Sequence, residues 1–339
     1  MPCASSDSFF PVDRDLLLKE LAPSTLIRCF KQMLLIRNFE LRAEAAYQQG
    51  KIGGFFHSYI GQEAIQTAAV EALGSDNWYA ASYRCHALAL LLGASPQELM
   101  AELFGRASGN ALGRGGSMHF FTERLLGGFG IVGGQIPIAT GAAFTLKYQG
   151  VKERLAVCFL GDGAVPQGAF HESLNIAALW NLPCLYVIEN NQWGMGTAVE
   201  DAVSVKRLAE DKAPGYGISG YTLDGMDFFN CYGGFAYLKK QVLSSQRPAL
   251  VEVKTERFKG HSISDPGLYR SKDGLQKAQA RDPIQLLQIE LIKAGRITEE
   301  DAKAMNKEAL HQVMEALEFA ENSPWPDPLT LEEDVLCPS

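Results

Sequence analysis

Two residues with oxygen side chains of the kind that bind metal ions stand just after two apolar segments. Asp162 follows the mostly apolar residues 155–160 in a Gly-Asp-Gly corner, and Asn191 comes shortly after the apolar residues 185–188. If the segments are neighbouring parallel strands, their carboxyl ends lie about 4.8 Å apart at one sheet edge, where ligands bind. One carboxylate and one amide are too few for a calcium cage. They suit Mg²⁺, which keeps waters and takes phosphate oxygens.

The same corner has a simpler interpretation as ordinary turn chemistry. Gly-Asp-Gly and Asn-Asn sequences are common in loops, and a short motif alone often gives false positives. However, Gly161 and Gly163 would let a phosphate approach the backbone, and the N-terminus of the following helix favours negative charge. The paired strand ends therefore favour a metal and phosphate site over a plain turn.

The segments around this corner predict one βαβ unit, with strands at residues 155–160 and 183–188 and a helix at residues 168–180. Ser24 and Gly50 are the expected N-cap and stop of a helix over residues 24–49, Gly74 is expected to close the next helix, and Ser95 to cap the one after it. The remaining predicted helices cover residues 61–74, 95–105, 136–148 and 228–244, and the remaining strands cover residues 221–225 and 249–258. This alternation predicts an α/β fold, with a mostly parallel sheet and helices on both faces.

We expect three parts along the chain. Residues 1–23 are predicted to form a loosely ordered tail, and residues 24–281 an α/β domain. Residues 282–339 are predicted to form a helical C-terminal extension packed on the same domain. The glycine-dense residues 105–134 also contain Met, Phe, Ile and Val, so they do not form a flexible spacer. They indicate close approach of the backbone to a ligand or to another chain.

Composition excludes several classes of function. The 339 residues carry a net charge of −8, which argues against broad nucleic-acid binding and against adsorption to an anionic membrane. No apolar run approaches the length of a membrane span. The seven cysteines are scattered, and Cys158 and Cys184 lie in predicted strands, which is typical of buried thiols in a reducing compartment. The N-terminus resembles neither a signal nor a transit peptide, so a cytoplasmic location is expected.

Other polar residues are candidates for a site, and each has a structural alternative. Arg84 could bind an anionic ligand or form a surface ion pair, and the residues 128–134 could be a ligand-binding or a flexible loop. His57 and His261 could transfer protons or stabilise the fold, although His261 lies in a Gly-flanked polar loop where a core role is not expected.

Longer segments of the chain match one family. "GFFHSYIGQEA", "ASYRCHALALLLG", "GRGGSMHF", "GGFGIVGGQIP" and "RFKGHSISDPGLYR" occur in the order seen in certain α subunits. These belong to the thiamine-diphosphate-dependent decarboxylating component of the 2-oxo acid dehydrogenases, the pyruvate type in particular. The resemblance covers about residues 24–320 and implies the thiamine-diphosphate-binding fold, with helical N-terminal and C-terminal extensions.

The resemblance implies a role for specific residues. The side chains of Asp162 and Asn191 and the backbone carbonyl of Trp193 would bind Mg²⁺. His57 would lie near the substrate carbonyl as a catalytic residue, and His261 would be catalytic and also order its loop near the phosphates. Ile131 or a neighbour would support the bent cofactor. Residues that match cofactor-binding positions are Tyr83, Arg84, Gly130, Val132, Asp162, Gly163, Ala164, Asn191, Arg257 and His261.

The resemblance also implies the reaction and the partners. The chain would decarboxylate pyruvate oxidatively and pass the acetyl unit to a lipoyl group on a separate acyltransferase. Thiamine chemistry needs a carboxylate at the pyrimidine ring, but Glu63 is better interpreted as a helix residue. We therefore expect a β subunit to supply the carboxylate in an α2β2 heterotetramer. The alternatives are the α subunit of a branched-chain 2-oxo acid or acetoin dehydrogenase, or a transketolase-like half enzyme.

Two departures from the family pattern are expected to have local effects. Pro166 stands where the family commonly has Asn, and it removes one backbone donor near a helix start, which helices tolerate. Ser262 matches a position that is phosphorylated in mammalian relatives, and Ser264 is also kept. A further serine of those relatives is missing, and we assign no kinase control to this chain.

Overall fold

The computed structural model describes residues 9–330 and 332, and a parallel sheet forms its centre. The six strands of this sheet are β1 Trp78–Ser82, β2 Leu125–Phe129, β3 Ala156–Gly161, β4 Cys184–Asn190, β7 Ser219–Asp224 and β8 Ala249–Lys254. Their order is β2-β1-β3-β4-β8-β7, and every neighbouring pair is parallel. A separate antiparallel ribbon consists of β5 Trp193–Gly194 and β6 Thr197–Ala198. The predicted α/β fold with a mostly parallel sheet is confirmed.

Helices surround the sheet and continue beyond it at both ends of the described chain. None of the helices in the described residues is both long and apolar enough to cross a membrane. The α-helices are α1 Arg14–Glu20, α2 Pro23–Gln48, α3 Glu63–Leu73, α4 His86–Leu91, α5 Pro96–Leu103, α6 Gln135–Tyr148, α7 Gly168–Leu179, α8 Val199–Ala202, α9 Leu208–Lys212, α10 Phe228–Ser245, α11 Lys272–Gln279, α12 Pro283–Lys293 and α13 Glu299–Asn322.

Two hydrophobic cores lie on the two faces of the sheet. Successive strand side chains point to opposite faces, so Val157 and Phe159 of β3 join one core while Cys158 and Leu160 join the other. The first core is closed by α2, α3, α5, α10, α12 and α13, and the second by α6, α7 and α9. This double burial explains why the predicted strands appear in the sequence as nearly continuous apolar runs. It also buries Cys158 and Cys184 fully, as predicted.

Two strands were not predicted from the sequence. β1 is short and contains two alanines, and β2 contains two glycines, which weaken a strand in isolation. They form because β1 pairs with β3 and then carries β2 on its other edge. Tertiary pairing therefore outweighs the weak local propensity of both segments.

Several boundaries also differ from the predictions. α2 begins at Pro23 with Ala22 at the N-cap, so the assignment of Ser24 as N-cap was wrong. Proline at the first helical position explains the earlier start, because its fixed φ suits a helix and its missing N–H needs no partner there. β8 ends at Lys254, which places Arg257 in the following loop instead of at the strand end. The predicted caps Ser95 and Gly74 are confirmed.

The N-terminal segment is more ordered than a loose tail over the part that the structure describes. Asp13 caps α1, the backbone N–H of Phe10 donates to Thr222 O at 2.8 Å, and Asn230 Nδ2 donates to Phe10 O at 2.9 Å. Residues 1–8 lie outside the described residues. At the other end, α12 and α13 pack on α2, while the domain boundaries themselves stay a prediction.

A buried ion-pair network joins α2, α3 and α12. Arg37 donates to both carboxylate oxygens of Glu63 at 2.5 and 3.0 Å and to those of Asp282, the N-cap of α12, at 2.8 and 3.3 Å. Glu63 is fully buried in this network and accepts from Gly61 N at 3.0 Å. It is the helix residue that the sequence predicted.

We predict that Arg37→Met lowers the free energy of unfolding by about 3 kcal/mol, because it leaves two acids buried without their cation. Arg42, an exposed arginine on the same helix, provides the matched control, and Arg42→Met should change stability by less than about 0.5 kcal/mol. Denaturant unfolding of both variants measures the difference. Equal stabilities would contradict the network's structural role.

Candidate active site

A cleft of about 570 Å³ opens at the carboxyl edge of the sheet. Segments that follow β1, β2, β3, β4 and β8 line it, and it lies where the chain order reverses between β1 and β3. The cleft brings together the residues that the sequence predicted for the site, except Ile131, which is 78% exposed and does not line the cleft. These lining residues are His57, Tyr83, Arg84, Gly130, Val132, Asp162, Gly163, Ala164, Asn191, Trp193, Arg257 and His261. Their individual roles stay predictions.

Asp162 and Asn191 follow strands that pair directly, because Gly161 of β3 is in register with Glu189 of β4. Asp162 opens a short 3-10 turn and is 3% exposed, and this burial raises the pKa of its carboxyl to about 6. The amide of Asn191 is held in one orientation, because its Oδ1 accepts from Trp193 N at 3.3 Å and its Nδ2 donates to Gln62 Oε1 at 3.2 Å. The carboxylate and the amide therefore enter one cleft from adjacent strands.

Asn190 is a structural neighbour and not part of the cleft lining. Its Nδ2 donates to Glu252 Oε1 on the neighbouring strand β8 at 2.7 Å. Alternation along β4 therefore gives the two successive asparagines different environments. No group of three or more His, Cys, Asp or Glu side chains that could hold a metal occurs within residues 9–330 and 332.

Two buried arginines line the cleft without an ion-pair partner among the described carboxylates. Arg84 is 5% exposed and donates to two carbonyls, Ser58 O at 2.7 Å and His261 O. Arg257 is 1% exposed and donates to Lys259 O at 3.1 Å and to the hydroxyl of Tyr269 at 2.8 Å. Burial, followed by repulsion from Arg257, lowers the pKa of Arg84 to about 10. Two buried guanidinium groups that meet only neutral acceptors favour an anionic ligand.

His57, Tyr83 and His261 form an aromatic cluster in the cleft. The ring centroids of His57 and Tyr83 are 4.4 Å apart, and those of His57 and His261 are 5.2 Å apart. Burial is the largest cause that lowers the pKa of His57 to about 2 and that of His261 to about 4, and Arg84 lowers both further. Both imidazoles are therefore neutral at neutral pH, and each offers one hydrogen-bond donor and one acceptor.

The loop that carries His261 is folded around one carboxylate. Asp265 accepts from His261 N at 2.6 Å, Gly267 N at 2.8 Å and the hydroxyl of Tyr269 at 2.6 Å. Tyr269 in turn accepts from Arg257, so the loop and the arginine hold each other in place. Ser262 lies outside the cleft lining, with its hydroxyl 3.1 Å from that of Ser264.

Sequence reasoning missed several polar residues of the cleft, among them Gln62, Gln135 and Glu189. Gln62 precedes α3, and no local pattern marks it as a hydrogen-bond partner of Asn191. Glu189 is the residue before the last in β4, and the sequence did show an acid at this strand end. It is held by Tyr59 and, at 3.2 Å, by Gln66, and burial raises the pKa of Glu189 to about 7.

The polar lining fits a large polar ligand. Four lining residues have a buried polar atom with no hydrogen-bond partner among the described residues: His57 Nδ1, Gln62 Nε2, Gln135 Oε1 and His261 Nδ1. A Cβ atom added at Gly161 would meet nothing within 4 Å, and one at Gly163 would meet only Gly194 Cα at 3.5 Å. The glycine corner thus leaves open backbone beside Asp162, as a phosphate site requires. Pro166 is exposed and does not line the cleft.

The fold and the cleft define an α/β protein with a candidate anion-binding cleft at the switch point of its parallel sheet, beside a carboxylate and an amide suited to a hard cation. The family of dehydrogenase E1 components matches residues 31–329, and the chain belongs to that family.

Curated relatives resemble the chain over most of its length. It is 44% identical over 313 residues to a "pyruvate dehydrogenase E1 component subunit alpha" of Rickettsia conorii, covering 92% of this chain and 95% of the relative. The protein of the same name from Rhizobium meliloti is 40% identical, covering 91% and 89%. A mitochondrial relative from Saccharomyces cerevisiae, of the same subunit type, is 38% identical, covering 96% and 77%. The predicted family is confirmed.

Proposed function

We propose that the chain is the α subunit of a thiamine-diphosphate-dependent enzyme that decarboxylates pyruvate and transfers the acetyl unit to a lipoyl group of an acyltransferase. The observation that carries this proposal is the convergence of Asp162, Asn191 and two buried arginines in one cleft. The names of the relatives support pyruvate as the substrate. The cytoplasmic location expected from the sequence is part of this proposal.

Different residues of the chain would bind the metal ion, the diphosphate and the aminopyrimidine ring. Asp162, Asn191 and the backbone carbonyl of Trp193 would hold Mg²⁺, while Arg84, Arg257 and Tyr83 would bind the diphosphate. The arginine fork suits phosphate oxygens because it offers several donors in one plane. Gly163 and Ala164 would offer backbone beside the diphosphate. Gly130 and Val132 would hold the aminopyrimidine ring through their backbone.

When bound, thiamine diphosphate supplies a nucleophilic carbon and an electron sink for loss of carbon dioxide from a 2-oxo acid. The two histidines would serve the substrate. Because their pKa values lie far below neutrality, His57 and His261 stay uncharged and can donate or accept a hydrogen bond at an oxygen of the substrate. His57 would lie nearer the carbonyl, and His261 nearer the phosphates.

The carboxylate for the pyrimidine ring would come from a β subunit. Among the described residues that line the cleft, the acids are Asp162 and Glu189, and Glu189 is engaged with Tyr59 and Gln66. Apolar side chains around the cleft are strongly exposed, including Phe55 at 65% and Met195 at 64%. Such bare apolar side chains favour a covering partner, in line with an α2β2 heterotetramer.

We expect decarboxylation of pyruvate with an artificial electron acceptor only when the chain is combined with the β subunit of its own source, thiamine diphosphate and Mg²⁺. The controls are the chain alone and the mixture with a metal chelator. Preference for branched-chain 2-oxo acids or acetoin would contradict the assignment of pyruvate as the substrate. Turnover by the chain alone would contradict the proposal that a β subunit completes the active site. It would make Glu189 the candidate carboxylate.

A further inference from the structure

A buried series of hydrogen-bonded side chains, consisting of an acid, a histidine and a serine, lies beside the cleft but outside its lining. Glu40 of α2, His86 at the start of α4 and Ser117 in the 3-10 turn Gly116–Met118 are 0%, 0% and 4% exposed. Both oxygens of Glu40 are 3.0 Å from His86 Nδ1. On the other side of the ring, His86 Nε2 is 2.9 Å from Ser117 Oγ and 3.0 Å from Ser117 O.

This order of groups resembles a nucleophilic triad, but its surroundings exclude that role. Ser117 does not line the cleft, and its hydroxyl also contacts the backbone N–H of His57 at 3.4 Å. A nucleophile needs space for a substrate carbonyl next to its oxygen. The buried hydroxyl of Ser117 faces protein backbone instead.

The two outer members of this hydrogen-bonded series, Glu40 and Ser117, hold the backbone on either side of Ser58. Glu40 Oε1 accepts from Tyr59 N at 2.9 Å, and Ser117 Oγ accepts from His57 N in the long contact already described. The carbonyl of Ser58, between them, accepts from Arg84 at 2.7 Å. These contacts hold the backbone of three successive residues, His57, Ser58 and Tyr59. The side chain of His57 lines the cleft.

The middle member of the series, His86, has little conformational freedom. Its ring packs against those of Phe56 and Phe120, each with a centroid distance of 5.2 Å, and at 6.2 Å from that of Phe39. Because a carboxylate only accepts hydrogen bonds, the hydrogen of His86 lies on Nδ1, and Nε2 is directed at Ser117. The acid therefore determines how the ring meets the hydroxyl.

We infer that Glu40, His86 and Ser117 are positioning residues that set the orientation of the His57 ring towards the substrate. This inference rests on the proposed function, in which His57 acts at the substrate carbonyl. These hydrogen bonds connect α2 and the glycine-dense segment to the residues that carry His57. The three buried side chains thus serve the reaction as well as the packing of the core.

The test compares Ser117→Ala and Glu40→Gln in the assembled α/β enzyme. We expect kcat for pyruvate to fall about tenfold in Ser117→Ala, since a displaced catalytic group slows the chemical step. KM and the dissociation constant of thiamine diphosphate should stay within about twofold, since Arg84 and Arg257 are intact. Glu40→Gln keeps an acceptor for Tyr59 N but places an amide N–H₂ opposite His86 Nδ1, so we expect a loss at least as large.

Ser108 provides the matched control. It is a serine of the same glycine-dense segment whose buried hydroxyl has no hydrogen-bond partner among the described residues. Ser108→Ala should keep the wild-type kcat, KM and cofactor affinity.

A crystal structure of the Ser117→Ala assembly gives a second readout that does not depend on turnover. We expect the His57 ring to be displaced from its wild-type position. An unmoved ring, an unchanged kcat, or a parallel loss of cofactor affinity would each overturn the positioning role. A displaced ring in an assembly that decarboxylates no 2-oxo acid would support the positioning and contradict the proposed function alone.

Discussion

Asp162→Asn is expected to weaken the Mg²⁺-dependent binding of thiamine diphosphate by at least about 100-fold, or about 2.7 kcal/mol. The substitution keeps the size of the side chain but removes the one carboxylate in the proposed set of metal ligands. Asn191 and the backbone carbonyl of Trp193 would then have to hold the metal without a carboxylate. Titration of the assembled enzyme with cofactor, with and without Mg²⁺, measures the loss.

Asp224→Asn is the matched control for this substitution. Asp224 also ends a strand of the same sheet, but it pairs with Arg281 at 2.5 Å and does not line the cleft. It should leave the cofactor affinity within about twofold of wild type. If Asp162→Asn bound the cofactor as tightly as Asp224→Asn, the proposed metal site at these strand ends would be wrong.

Arg257→Met is expected to reduce the affinity for thiamine diphosphate by about 100-fold, because a charge-assisted hydrogen bond to phosphate contributes roughly 1.5–3 kcal/mol. The guanidinium is almost fully buried and donates only to a carbonyl and a tyrosine hydroxyl, and no described carboxylate lies within ion-pair distance of it. Inorganic diphosphate should show the same weakening, which separates phosphate recognition from contacts to the rings. Calorimetric titration with both ligands provides the measurement.

Arg281→Met controls for loss of a positive charge in the same part of the molecule. The side chain of Arg281 is 53% exposed, and such ion pairs contribute little to binding elsewhere. We expect its cofactor affinity to stay within about twofold of wild type. A similar loss in both variants would indicate a general electrostatic effect and contradict a specific role for Arg257.

Long-range contacts explain why parts of the cleft could not be predicted from the sequence. The residues that hold Asn191 and Glu189 in place are Gln62, Tyr59 and Gln66, which are remote from β4 in the chain. No local period or motif marks these residues. The contact between Glu40, His86 and Ser117 is of the same kind, because the fold joins three elements that are separate in the sequence.

The sequence by itself determined the βαβ unit around Asp162, the helix caps at Ser95 and Gly74, and the types of polar group at the strand ends. These features depend on local physics: apolar runs favour buried strands, and serine and glycine satisfy helix ends. Family motifs added the other cleft residues that were predicted. The tertiary structure decided the two weak strands β1 and β2, the position of Arg257 beyond β8 and the burial of both arginines without carboxylates. Such features arise only when distant segments pair and exclude water, and these interactions leave no periodic pattern in the chain.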